Sequence, residues 1–306
     1  MSMTERAIRK RALGGFTLVE SIIVILLVGI LAAVSAVFIV QPFEASRDMT
    51  RRAELVDSAE TALNRITREV RLAVPNSVRI SPGANALEFL RSTTGGRYRR
   101  LLDGAGNGEV LDPTVDASGQ PATFDVLGGL PDPDGDVAAN TRSAGRDCAD
   151  GSGYCIVINN TGPRGTDFDA YDTGNNVAAI TATSGLGDAD RTNDTLTFDT
   201  GGMGATAAFP AHSASQRFQV MDTAVTYVCP DTTNRIDRHH DYGLNDSQVA
   251  QPGGTVSEVA RDVVDCEFTY ESGAGQRHGL VTIDITLRRD GETVRLVDQA
   301  HVVNVP

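Results

Sequence analysis

Several groups of residues in this chain are of types and spacings that could do chemistry. Glu20 is a single carboxylate at the head of an otherwise uncharged apolar run, "GGFTLVESIIVILLVGILAAVSAVFIV". An acid at membrane depth is costly unless it has a partner or a task. Asp132, Asp134 and Asp136 alternate in "PDPDGDVAAN", and several oxygen ligands on a flexible loop are what calcium takes. However, Val137 stands where an EF-hand glycine would follow, and no Glu closes the loop at the expected distance. "GDADRTND" (187–194) is a similar loop, and solvated acidic turns account for both, since Asp and Gly are ordinary turn formers. "DRHHDYG" holds Asp237, His239, His240 and Asp241. A metal site or acid–base pair there is opposed by strand geometry, which sends neighbouring side chains to opposite faces. No third ligand follows at a suitable spacing.

Four cysteines are present: Cys148, Cys155, Cys229 and Cys266. An even count in an exported chain implies two disulfides. Of the three pairings, two short-range facts favour Cys148–Cys155 with Cys229–Cys266. "CADGSGYC" is a Gly-rich loop that can close tightly, and Cys229 and Cys266 both end apolar, β-like runs. Zinc is the rival reading, but C-x6-C is wider than the usual ligand spacing. No G-x-S-x-G, Walker A, H-E-x-x-H or dinucleotide fingerprint occurs, and nothing in the residues argues for an enzyme.

The elements that must position these residues begin with a membrane segment. Residues 21–41 carry no charge, and as a helix they span about 30 Å, the thickness of a bilayer core. Arg6, Arg9, Lys10 and Arg11 precede the run, with Glu5 as the only opposing charge. That asymmetry puts the N-terminus in the cytoplasm and the rest beyond the membrane. The whole 306-residue chain has a formal charge of −13, and taking away the basic leader makes the remainder more acidic still. Such a balance suits a nucleic-acid backbone poorly, with "RYRR" (97–100) as a local basic exception. A secretory signal is cut after its apolar region. Here the small-residue junction, Gly14-Gly15, lies before it, so a cut there leaves the helix on the mature protein with Phe16 first.

This order, "GG" then "FTLVE" then an apolar helix, resembles the prepilin leader of type IV pilins and type II secretion pseudopilins. The resemblance implies a leader over 1–15, cleavage between Gly15 and Phe16 by a prepilin peptidase, and N-methylation of the new Phe16 amine. It also implies that Glu20, fifth in the mature chain, meets that amine on an adjoining subunit. The likeness departs at Val37, where many major pilins have proline. Pro42 is the first proline after the leader, so local melting of the helix in a filament does not carry over. Calcium in some pseudopilins keeps Asp132, Asp134 and Asp136 as candidate ligands.

After the apolar run, Val56, Ala59, Leu63, Ile66, Val70 and Ala73 recur at spacings of three and four, one apolar face of a helix. Pro75 stops it. The spacing therefore predicts one helix over 16–74, transmembrane over 16–41 and amphipathic over 42–74, with a kink or break at Pro42. From 75 to 306 the chain reads as a β-rich domain. Short runs ("SVRI", "ALEFL", "CIVIN", "DTLTF", "RFQVM", "AVTYVC") are divided by Gly, Asp, Asn and Pro. Near the end, alternating Val281, Ile283, Ile285 and Leu287 precede the hairpin turn Asp290-Gly291. Residues 93–215 are rich in Gly, Asp and Thr, and predict long loops with thin strand signals. The expected fold class is α+β.

"ALNRITREVRLAVPNSVRI", "TYVC" and "GLVTIDITLRRDGETVRLVDQAHVVNVP" are similar to the MshO family of minor pilin-like proteins of the mannose-sensitive haemagglutinin (MSHA) pilus, itself similar to the J-type minor pseudopilins. The likeness covers 14–90 and 218–306. It implies an inner-membrane subunit with a periplasmic domain, assembling with other major and minor pilin-like subunits. A type II secretion pseudopilin and a pilus-associated adhesin or ligand-binding subunit are the alternatives.

Overall fold

A computed structural model describes residues 15–111, 122–132, 134–141, 148, 153–162, 168–171, 176–186, 194–199, 209, 211–229, 232–249, 251–272 and 277–305. The chain divides into two compact units, Met1–Ala53 and Glu54–Pro306. Helix α1 (Leu18–Val70) starts in the first and ends in the second. Its backbone stays helical through Pro42, so the expected break there is not present. In the first unit, the stretch Leu18–Ser35 has a mean hydropathy of 2.7 and none of it is buried. It is long and apolar enough to cross a membrane.

In the second unit, α1 presents a buried stripe of Leu55, Ala59, Ala62, Leu63, Ile66 and Val70. Val56 and Ala73, expected on that stripe, are only half-buried, and Leu55 and Ala62 complete it. The helix ends at Val70 rather than at 74. Proline forces the residue before it out of the helical region, and the backbone ahead of Pro75 is taken up by strand-like pairing. The Ser92 N–H donates to the Leu72 carbonyl and the Val74 N–H to that of Leu90, both at 2.8 Å.

The helical stripe packs on a three-stranded antiparallel sheet of β10 (Val263–Glu271), β11 (His278–Arg289) and β12 (Glu292–Val303). Val281, Ile283, Ile285 and Leu287 point inward, as the alternation predicts. At the β11–β12 turn Asp290 and Gly291 both have positive φ, 48° and 91°, the type I′ geometry that fits the twist of paired strands.

Nine further strands make a second sheet: β1 (Arg79–Ile80), β2 (Ala86–Tyr98), β3 (Ala122–Leu127), β4 (Cys155–Val157), β5 (Val177–Ser184), β6 (Thr195–Asp199), β7 (Arg217–Val228), β8 (Arg235–His240) and β9 (Thr255–Arg261). Their order is β1-β2-β3-β6-β5-β4-β7-β8-β9, and β2 also pairs with β7. Strands β2, β3, β6, β5, β4 and β7 therefore close into a ring. Tyr98, Phe124, Phe198 and Phe218 fill it, with Phe124 stacked edge-on to Phe218 at 5.2 Å between ring centres. Of the long loops expected over 93–215, much lies outside the described residues, and the strands there are short. The segment holds four strands and a one-turn helix, α2 (Asp136–Ala139), around a core distinct from the one under α1. β3 and β5 are hard to read in the sequence because β5 is buried on both faces over Val177–Ile180 and β3 turns only Phe124 and Val126 inward, so the period-2 signal is absent or short.

Candidate functional site

The residues singled out at the N-terminus are gathered at the start of α1. Thr17 precedes the helix, and its Oγ1 accepts a hydrogen bond of 3.3 Å from the Glu20 backbone N–H. Its carbonyl accepts one of 3.1 Å from Ser21 N–H. Thr-x-x-Glu is the capping-box spacing, and an acid in the first turn complements the helix dipole. Thr17 was not anticipated, although the same four residues carry the signal. The bond uses the Glu20 backbone, so the carboxylate favours the helix start through its place in the first turn alone. Gly15 and Phe16 lie outside the helix and are exposed. A Cβ added at Gly15 would meet nothing within 4 Å, so neither packing nor backbone conformation demands glycine there. Beyond Glu20 the large side chains from Ile22 to Leu31 stand exposed, Ile25 at 72 %.

Both disulfides have the favoured pairing. Cys148–Cys155 closes with a Cα separation of 6.2 Å, and Cys229–Cys266 with one of 5.6 Å. The second joins the end of β7 to β10, so it ties the large sheet to the small one. Free cysteines are absent among the described residues.

The acidic loop candidates do not converge. Asp132 is buried and its two oxygens accept the N–H groups of Val137 and Ala138, at 3.1 and 3.2 Å. It caps α2. Asp134 and Asp136 are exposed, and among the described residues no three His, Cys, Asp or Glu side chains are placed to share a metal ion. All three aspartates line a cleft of about 320 Å³ with Leu72, Tyr154 and the Arg91–Asp222 ion pair. Of the second loop, 187–193 lie outside the described residues. Asp194 is buried, its Oδ2 accepting the Leu130 N–H at 2.7 Å.

Strand β8 splits the histidine motif. Asp237 and His239 line a hollow of about 230 Å³ with Arg235, and Asp237 pairs with Arg235 at 2.8 Å. His240 instead meets Asp241 at 2.7 Å. Arg238, between them, turns inward to Glu69. Its Nε donates to Glu69 Oε2 at 2.8 Å, and the Tyr227 hydroxyl donates to the same oxygen at 2.8 Å. Burial pushes the Glu69 carboxyl up, but these two hydrogen bonds and the guanidinium charge outweigh it and hold Glu69 below its usual range. A second buried network forms where Arg79 donates to Glu88 at 2.6 Å and Tyr242 donates to Glu88 at 2.9 Å. Arg79 also lies 3.6 Å over the ring of Tyr171. Neither network was anticipated, since each depends on a tyrosine more than 150 positions from its carboxylate.

"RYRR" is divided by strand alternation. Tyr98 is buried in the ring core, Arg99 pairs with Asp125 at 2.7 Å, and Arg97 and Arg100 are exposed. Comparison with known proteins supplies no relative: no family model matches the chain, and neither does any curated protein or solved structure.

Proposed function

We propose that this chain is a minor pilin-like subunit of a type IV filament of the MSHA type, held in the inner membrane before assembly with its β-rich domain in the periplasm. The observation that carries the reading is the start of α1. A capped helix begins three residues after Gly15, has an acid in its first turn, and runs on as an unburied apolar surface over Leu18–Ser35. A glycine that the fold does not require, immediately before Phe16, fits recognition by a processing enzyme. Two disulfides fit an oxidising compartment.

In this reading Glu20 and the Phe16 amine of an adjoining subunit attract in a low-dielectric helix core. Either charge alone would suffer a desolvation penalty of several kcal/mol. The pair acts as a register and recruitment device, and the β-rich domain docks on other minor subunits to initiate or tip the filament. Catalysis has no part in it.

Intact mass and N-terminal sequencing test the proposal directly. Chain from cells with a prepilin peptidase should begin at methylated Phe16, and chain from peptidase-deficient cells should keep residues 1–15. Gly15→Val should block the cut and leave the fold intact. Glu20→Ala should insert and be cut normally but enter filaments poorly; normal incorporation of that variant would sink the role given to Glu20. Deleting the gene and scoring surface pili against exoprotein secretion separates the pilus from the secretion filament.

A further inference from the structure

The end of the β2–β7 ladder carries an arrangement that costs the fold stability. Arg97 on β2 stands directly opposite Arg217 on β7, and on its other side opposite Leu127 on β3. Like charges directly opposite on a sheet repel. Arg97, Arg100 and Arg217 are all exposed, and none has an ion pair among the described residues. The apolar side chains beside them are also exposed, Leu101 at 77 % and Leu102 at 52 %. A basic, leucine-rich patch on a chain of formal charge −13 is out of keeping with the rest of the molecule. Nothing within the described fold neutralises it.

The complement lies on the same strand. Thr93 lines the cleft bordered by Asp132, Asp134 and Asp136, and Thr93, Gly95 and Arg97 are successive exposed positions of β2. Four residues of strand put the cleft and the arginine patch roughly 13 Å apart on one outward face. The cleft also offers apolar surface, with Leu72 half exposed beside Pro131. Asp134 and Asp136 are exposed and carry no ion pair among the described residues.

We infer that this face is a self-complementary interface, and that its occupant is a second copy of the chain. A two-fold axis between the patches lays the Arg100–Leu101–Leu102 corner of each copy into the aspartate-rimmed cleft of the other. Residue-to-residue reciprocity of this kind is what a two-fold interface requires. The contact neutralises the opposed arginines, covers the exposed leucines and leaves the apolar helix unused. It therefore holds whether or not the chain goes on to enter a filament.

The test is the association state of the full-length chain in detergent, by sedimentation velocity at low and high salt. Wild type should form a dimer that weakens as salt rises, since exposed charges are screened. Arg100→Asp with Arg217→Asp, and separately Asp134→Arg with Asp136→Arg, should each weaken it by about tenfold or more. Mixing the two charge-reversed variants should restore a one-to-one dimer, because both contacts then pair opposite charges, one in the native sense and one reversed. A monomeric wild type, a dimer indifferent to both reversals, or a mixture that fails to re-associate would each overturn the inference. So would arginine variants that keep the dimer but lose binding to phosphatidylglycerol vesicles, which would make the patch a lipid-facing surface.

Discussion

Glu69 shows how one half-buried carboxylate sets a pH limit on this fold. Its Oε2 accepts from both Arg238 and Tyr227, and the side chain of Arg238 is only 5 % exposed. Because the carboxyl is held below its usual range, its contribution to stability is complete above the ordinary glutamate value of about 4.3 and disappears as the pH falls through the lowered one. Thermal midpoints measured from neutral to strongly acidic pH should therefore drop below about pH 4.5 in the wild type. In Glu69→Gln that part of the pH dependence should be gone. Glu69→Ala should cost about 3 kcal/mol at neutral pH, read by urea unfolding, because it strands a buried guanidinium. At the other end of the chain, Glu20 was legible as an anomaly from sequence. That the Thr17 hydroxyl caps the helix on the Glu20 backbone N–H became visible only with the backbone placed.

Among the elements, α1 and the β10–β12 sheet make the core whose periodicities were plainest in the sequence. Leu63 is 5 % exposed within that core, and Leu63→Ala should destabilise the domain by about 3 kcal/mol through the lost apolar contacts and the cavity left behind. The disulfide Cys229–Cys266 spans 37 residues, and a loop of that length corresponds to about 4 kcal/mol of stabilisation in the chain-entropy model. Replacing both cysteines by alanine should lower the urea midpoint accordingly. Replacing Cys148 and Cys155, only 7 apart, should cost about 2 kcal/mol by the same relation. Equal losses for the two pairs would show that the larger bridge does not act through chain entropy. The β11–β12 hairpin was legible because alternation and the Asp-Gly turn agree. β2 and β7 were read as short runs. Their outer halves contain Gly95, Gly96 and polar positions, which hide a strand that is held by pairing rather than by its own propensity.

At the scale of the molecule, the ring of strands is an insertion between two neighbouring strand ends, since Arg97 and Arg217 face each other across the β2–β7 ladder. Joining them by a two-residue turn in place of 98–216 should leave the core under α1 and the Cys229–Cys266 bridge formed. It should also expose the face of Leu90, Met221 and Ala224, which now packs on β4 and β5. Hydrogen exchange should then find β10–β12 still protected and β7 less so. Loss of protection throughout would show that the two cores fold only together.

The sequence by itself determined the parts whose signal is local. These are the apolar span and its acidic first turn, the helical stripe that follows, the terminal hairpin, and the Cys148–Cys155 pair closed by a short loop. Local signals suffice there because period, charge and turn chemistry act between residues a few positions apart. The tertiary structure alone decided the closed ring, the Glu69 and Glu88 networks, and the facing of Arg97 with Arg217. Each depends on contacts between residues tens to more than a hundred positions apart, for which neither periodicity nor composition leaves a mark along the chain. "RYRR" was readable as basic, but alternation and pairing chose which of its arginines were neutralised and which were left on the surface without an ion pair.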